Sequence, residues 1–154
     1  VPELREAVIY DVDGTLCDVR GIRHLLDGPG RFAAFHSASV DCPPHPHVVE
    51  AARADHAAGR AVLIVTGREA RWRHHTAMWL ALAGVPSDAM WMRAYGDYRP
   101  DYEVKADVLA AIRRRYRLVA AWDDNPAVIR LWRQHDIPVH VVPGWDGPAI
   151  EEDR

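Results

Sequence analysis

The sequence predicts an α/β fold: a Rossmann-like three-layer sandwich with a central parallel sheet, a short flap and no folded cap domain. Short apolar runs of strand length recur along the chain, at Ala7–Tyr10, Ala61–Val65, Ala89–Met92, Leu118–Trp122 and Val139–Val142. Stretches of helical character separate them, and such alternation builds a parallel sheet covered on both faces. Asp11, Thr66 and Asp123 each stand just past the end of an apolar run. In sheets of this kind ligands sit at the carboxyl ends of the strands, so one crevice is expected to collect all three.

Taken in order, Ala7-Val8-Ile9-Tyr10 is apolar and stops at an acidic, Gly-containing turn, as a buried strand does. Residues 14–46 read as irregular, with Gly28-Pro29-Gly30 and Pro43-Pro44 marking loops. Val48–Ala58 reads as a helix closed by Gly59, and Ala61–Val65 as the next strand, followed by Thr66-Gly67-Arg68. A helix over Arg71–Ala83 closes at Gly84, before the short strand Ala89–Met92 and the polar loop Arg93–Tyr102. Helix Glu103–Tyr116, strand Leu118–Trp122, helix Pro126–His135 and strand Val139–Val142 complete the pattern.

A chain of 154 residues suffices for one domain with a full core, so 1–154 is read as a single domain. Hydrophobic residues at 49% and charged residues at 27% are ordinary for a soluble globular protein. The net charge of -3 excludes a bulk pull toward nucleic acid; any such attraction has to be local. No apolar run approaches membrane-spanning length and no signal-peptide pattern opens the sequence. Cys17 and Cys42 have the spacing of neither a metal site nor a disulfide framework, so a reduced, cytoplasmic protein is expected. The sequence opens on Val1 rather than Met, which suggests an extension or partner domain before it.

The strongest chemical signal is Asp11-Val12-Asp13-Gly14-Thr15-Leu16, directly after an apolar strand. One carboxylate can attack phosphorus in line, and a second, two residues on, can protonate the leaving alkoxide and later take a proton from water. Gly14 permits the tight turn that lets both side chains face a substrate. The ordinary alternative is a plain Asp-Gly turn after a strand. Thr66 and nearby backbone amides can hold phosphate oxygens, although Thr66 also suits a helix N-cap region. Lys105, opening a helix, can neutralise the nucleophile and a transferring phosphoryl group; most lone lysines are merely solvated. Asp123-Asp124 at a strand end opposite Asp11 makes an oxygen-rich site suited to Mg2+, unless Asp124 or Asn125 only caps the helix at Pro126.

Asp-x-Asp, Thr, Lys and Asp-Asp, in this order and each at an element boundary, resemble the motifs of the haloacid dehalogenase superfamily. The resemblance implies a Mg2+-dependent phosphatase with Asp11 as nucleophile and metal ligand. It implies Asp13 as acid/base, with its backbone carbonyl on the metal. Thr66 and Lys105 would hold the phosphoryl group, Asp124 would ligate the metal directly, and Asp123 would stand close behind or act through water. Fifty residues lie between Thr15 and Thr66, and a core helix takes part of them, leaving about 30 for a flap. Neither that gap nor the one from Thr66 to Lys105 holds a cap domain, so an open site admitting large substrates is expected.

From Val8 to Val142 the chain also resembles the phosphatase domain of phage-type polynucleotide kinase/phosphatases. The resemblance rests on Asp11–Leu16, Thr66-Gly67-Arg68-Glu69, Ala83-Gly84-Val85-Pro86, Met92-Arg93, Gly96-Asp97, Arg99, Asp101, Val104-Lys105, Asp123-Asp124 and Trp132-Arg133. It implies removal of a 3′-phosphate from a nucleic-acid end, RNA or DNA, with Gly67, Arg68, Arg93 and Arg99 as substrate-binding residues. The loop after Glu69 is shorter than in the phage domain, and Asn125 replaces an arginine. The sequence has no Gly-x-x-x-x-Gly-Lys-Ser/Thr loop, so a kinase half is expected as a partner or on a removed segment. A small-molecule phosphatase acting on nucleotides or sugar phosphates is the alternative, and a non-catalytic binding domain a further one.

Arg68, Arg71, Arg73, His74 and His75 surround Trp72 and suggest a basic rim with a stacking platform. Against this, Trp72 and Trp79 are seven apart and suit one buried helix face. Arg113-Arg114-Arg115 and Arg117 read as a solvated helix end, and His45 and His47 have no zinc pattern.

Overall fold

The computed structural model describes residues 3–27 and 31–143. Among them, strands β1 (Arg5–Tyr10), β2 (Ala61–Glu69), β3 (Ala89–Arg93), β4 (Tyr116–Asp123) and β5 (Val139–Val141) form one parallel sheet in the order β3-β2-β1-β4-β5. Helices α1 (Arg31–Ala38), α2 (Pro46–Ala57), α3 (Arg73–Ala83), α4 (Asp101–Arg113) and α5 (Pro126–Gln134) pack around it. The predicted three-layer sandwich is thus the observed one.

Period-2 alternation along the central strands splits the core in two. Val8, Tyr10, Val62 and Ile64 face α2 and α3, meeting Val49, Ala52, Trp79 and Leu80. Ala7, Ile9, Leu63 and Val65 face α4 and α5, meeting Leu109, Ile112, Leu131 and Trp132. Trp132 is wholly buried, and truncating such a side chain typically costs about 3–5 kcal/mol.

Several boundaries differ from expectation. Residues 14–46 are not irregular: 3₁₀ turns over Arg20–Asp27 and Ser39–Asp41 flank α1. Leu26 and Phe35 pin this segment to the α2/α3 side of the core, so the flap has helical structure. The expected loop at Gly28-Pro29-Gly30 lies outside the described residues. Strand β2 continues through Thr66 to Glu69, and its register with β3 shifts between Val65 and Glu69. Helix α4 starts at Asp101 and ends at Arg113, and Tyr116, expected in the helix, is the first residue of β4, where it pairs with Arg5. Gly84, at φ 74°, closes α3 in the left-handed conformation that favours glycine.

β1 lies at the middle of the sheet, and the chain crosses from its β2 side to its β4 side between β3 and β4. This is the topological switch point, and the carboxyl end of β1 opens onto it. The register Tyr10–Ile64 and Tyr10–Trp122 sets the residues that follow side by side: Asp11 and Asp123 directly, with Thr66 one step beyond on the other flank.

Candidate active site

Asp11 extends β1, its amide donating to the carbonyl of Trp122 at 3.1 Å. The chain then turns through Gly14, whose φ of 83° is the left-handed value a side chain would resist. The turn is closed by the Thr15 and Cys17 amides, both donating to the carbonyl of Val12. It leaves Asp11 at 2% exposure, with the Lys105 ammonium 3.0 Å from Oδ1 and the Thr15 hydroxyl donating to Oδ2 at 3.0 Å.

Lys105 is equally buried and contacts Asp11, Asp101 and Asp123 at 3.0, 3.2 and 3.0 Å. Burial alone would pull its ammonium down. The charges of Asp101, Asp11 and Asp123 together offset that and hold it well above its ordinary value. It is therefore a fixed positive charge against the Asp11 carboxylate.

Asp123 accepts from the backbone amides of Asp124 and Asn125 through Oδ1, and from Lys105 through Oδ2. Burial, then the charge of Asp11, pushes its carboxyl up to about 7, with Lys105 pulling the other way. Asn125, not Asp124, caps α5 by accepting from the Ala127 amide at 3.0 Å. Asp124 instead turns toward Asp11, and the Thr15 hydroxyl lies 3.3 Å from its Oδ1. Asp11, Asp123 and Asp124 each offer an oxygen within 4.8 Å of the others, and all three are buried. Such a set of hard oxygens, with more negative charge than one lysine offsets, fits a Mg2+ ion.

Asp13 is held by a fork: Arg68 Nε donates to Oδ2 at 3.0 Å and Nη2 to Oδ1 at 2.5 Å. Arg68 is 2% exposed and donates its remaining reach to the Thr76 hydroxyl. The sequence suggests a rim arginine at this position; the structure corrects that, because the guanidinium is committed to orienting Asp13. Thr66 is buried at the end of the apolar part of β2 and caps no helix: α3 begins only at Arg73. Its hydroxyl accepts from the Arg68 amide at 3.2 Å.

Arg93, also expected as a grip, lines the cleft beside the site and stands 3.8 Å from Asp101. Its guanidinium braces the loop before α4, donating to the carbonyls of Gly67, Asp97 and Arg99. Arg99 stays near the surface, paired with Asp97 and Asp107. Arg99, through its side chain and then its backbone amide, holds the Asp97 carboxyl at about 2. Trp72 is partly buried against His36 and His75, while Trp79 is the core residue and donates to the Cys42 carbonyl. Cys17 and Cys42 are free cysteines whose side chains share a hydrogen bond.

Sequence reasoning gave no role to two residues of the site, Asp101 and His36. Asp101 stands four residues before Lys105, a spacing that places both on one helix face, and that was the available signal. His36 Nδ1 comes within 3.9 Å of Asp13 Oδ2, a contact made only by folding the flap over the turn. Gly67 has a packing reason. A Cβ there would lie 2.5 Å from Asp101 Oδ1, so the glycine lets β2 pass the carboxylate that holds Lys105. Gly67→Ala is expected to lower kcat by up to about 10²-fold, because a 1 Å misplacement of a catalytic group costs that much. Steady-state kinetics beside a thermal melt checks this; unchanged kcat would show that Asp101 moves without disturbing Lys105.

A parallel sheet with buried carboxylates, a lysine and a threonine gathered at its switch point defines a phosphatase of the haloacid dehalogenase type. More narrowly, the chain belongs to the family of polynucleotide kinase PNKP phosphatase domains, which matches residues 5–144. A chain in the structure of the Pnkp1/Rnl/Hen1 RNA repair complex is 29% identical, with a TM-score of 0.79, over 90% of this chain and 42% of that one. The present chain therefore spans less than half the length of that protein. The class C acid phosphatase from Bacillus anthracis, solved with tungstate bound, is 11% identical with a TM-score of 0.71, over 94% of this chain and 69% of that one. At that identity the likeness is one of fold. Among the described residues no helix is long and apolar enough to cross a membrane.

Proposed function

We propose that this chain removes the 3′-phosphate from polynucleotide ends through an aspartyl-phosphate on Asp11. The observation that carries the chemistry is the environment of Asp11: a buried carboxylate, fixed by Lys105 and Thr15, at the switch point of the sheet. In the first half-reaction Asp11 attacks phosphorus while Asp13, protonated and released from the Arg68 fork when substrate binds, gives its proton to the leaving 3′-oxygen. In the second, water attacks the phosphoryl group on Asp11, and Asp13 takes the proton that water loses. Lys105 and Thr66 stabilise charge on the phosphoryl oxygens in both steps. Asp11, Asp123 and Asp124, with the Asp13 carbonyl, would hold Mg2+, which when bound neutralises the carboxylates and the substrate's oxygens.

The polynucleotide substrate is supported by the family, by the likeness to a chain of an RNA repair complex and by the absence of a folded cap over the site in the described residues. A kinase partner or a further domain, as part of a longer assembly, belongs to the same proposal. The cleft beside the site also has the size of a small ligand, which favours a nucleotide phosphatase as the second reading. A side-by-side assay separates the two. 3′-Phosphorylated oligonucleotide is expected to be hydrolysed faster than free mononucleotides and sugar phosphates at matched concentration, and chelator is expected to stop the reaction reversibly. Equal or better hydrolysis of the small esters would pass the assignment to the second reading. Full activity in chelator would refute the carboxylate site as a Mg2+ site.

A further inference from the structure

Beside the catalytic carboxylates lies a cleft of about 280 Å³. Its two sides come from distant parts of the chain: Phe32 and Phe35 from the flap helix α1, and Tyr98 and Arg99 from the loop between β3 and α4. Gly67, next to Thr66, lies among its lining residues. His36 and Asp101 line it as well; His36 stands 3.9 Å from Asp13 and Asp101 3.2 Å from Lys105, so the cleft adjoins the carboxylate site.

The two aromatics differ in what folding asks of them. Phe35 is buried and belongs to the core. Phe32, with Arg31 over its ring and His36 beside it, is 38% exposed and Tyr98 is 87% exposed, and neither belongs to a core cluster. Exposed rings on the walls of a concave site beside reacting groups offer stacking faces. The charges around them exclude a second anion as the preferred occupant. Arg93 stands 3.8 Å from Asp101, Arg99 is paired with Asp97 and Asp107, and Glu69 is a further carboxylate in the lining. What remains is an aromatic slot with little unbalanced positive charge, suited to a flat, neutral group.

We propose that this cleft receives the terminal nucleobase of the substrate, stacked on Phe32 and Tyr98. The proposal rests on the polynucleotide reading above. It makes the enzyme sense that the phosphate is carried by a nucleotide, while tolerating any base, because every base has a π-face.

The test compares a 3′-phosphorylated oligonucleotide bearing a normal terminal base with the same oligonucleotide whose terminal residue is abasic. Wild-type protein is expected to prefer the base-bearing end by roughly 5- to 150-fold in kcat/KM, the range for loss of one base–aromatic stack. In Phe32→Ala and Tyr98→Ala that ratio should fall toward one. A merely structural loss would lower both rates and leave the ratio in place, which would overturn the proposal. Equal rates for the two ends with wild-type protein would overturn it as well, while leaving the polynucleotide assignment standing. If no oligonucleotide outperforms the small phosphate esters, the polynucleotide reading falls and the base site with it.

Discussion

Asp11→Asn is expected to abolish turnover while leaving the fold intact. The amide has the shape of the carboxylate but cannot attack phosphorus, and removing a nucleophile that acts in concert with other groups costs on the order of 10⁴-fold or more. Stability should hold, because Asp11 is one of several buried carboxylates arranged around a single lysine. Removing its charge relieves the repulsion that helps push Asp123 up to about 7. The check is hydrolysis of a generic aryl phosphate with Mg2+ present, beside a thermal melt. Residual rates near wild type, with contaminating phosphatase excluded, would remove Asp11 from the reaction.

The second large effect is expected at Asp13, and its signature is selectivity rather than total loss. An alkoxide is a poor leaving group and needs a proton as its bond to phosphorus breaks; an activated aryl oxide needs little. Asp13→Asn should therefore slow alkyl phosphate hydrolysis by roughly 10²–10⁴-fold. Aryl esters should suffer less in formation of the phosphoenzyme. Single-turnover rates on the two ester classes measure this directly. Equal losses on both would mean that Asp13 serves only to anchor Arg68, its partner in the buried fork.

Much of this site could be read from sequence because its signals are local. An apolar strand followed by Asp-x-Asp-Gly names both the strand end and the turn, and Gly14 takes the positive φ that the turn requires. Asp123-Asp124 at the end of β4 was legible for the same reason. Which residue capped α5 was not, since Asn125 and Asp124 suit an N-cap almost equally. The side chain of Asn125 takes that role, which leaves Asp124 to the carboxylate cluster.

What was hidden depended on contacts far apart in sequence. Arg68 stands among Arg71 and Arg73 and looks like part of a solvated rim. Only its pairing with Asp13, 55 residues away, shows that it is buried. Arg93 is similar, its donors taken by carbonyls of its own loop and of Gly67. The flap was misread because α1 has only eight residues, too few for a 3.6-residue period to stand out, and its helical form depends on tertiary packing of Phe35. Tyr116 was drawn into the preceding helix because an apolar residue continues either pattern; its pairing with Arg5 decides for the strand.

The central claim is that phosphate passes through a covalent bond to the enzyme before reaching water. The stereochemical course at phosphorus tests it most directly, using an isotopically chiral phosphate monoester hydrolysed in labelled water. Two successive in-line displacements, first by Asp11 and then by water, invert the configuration twice, so the account predicts net retention. Net inversion would mean a single direct attack by water and would contradict the assignment of Asp11 as nucleophile.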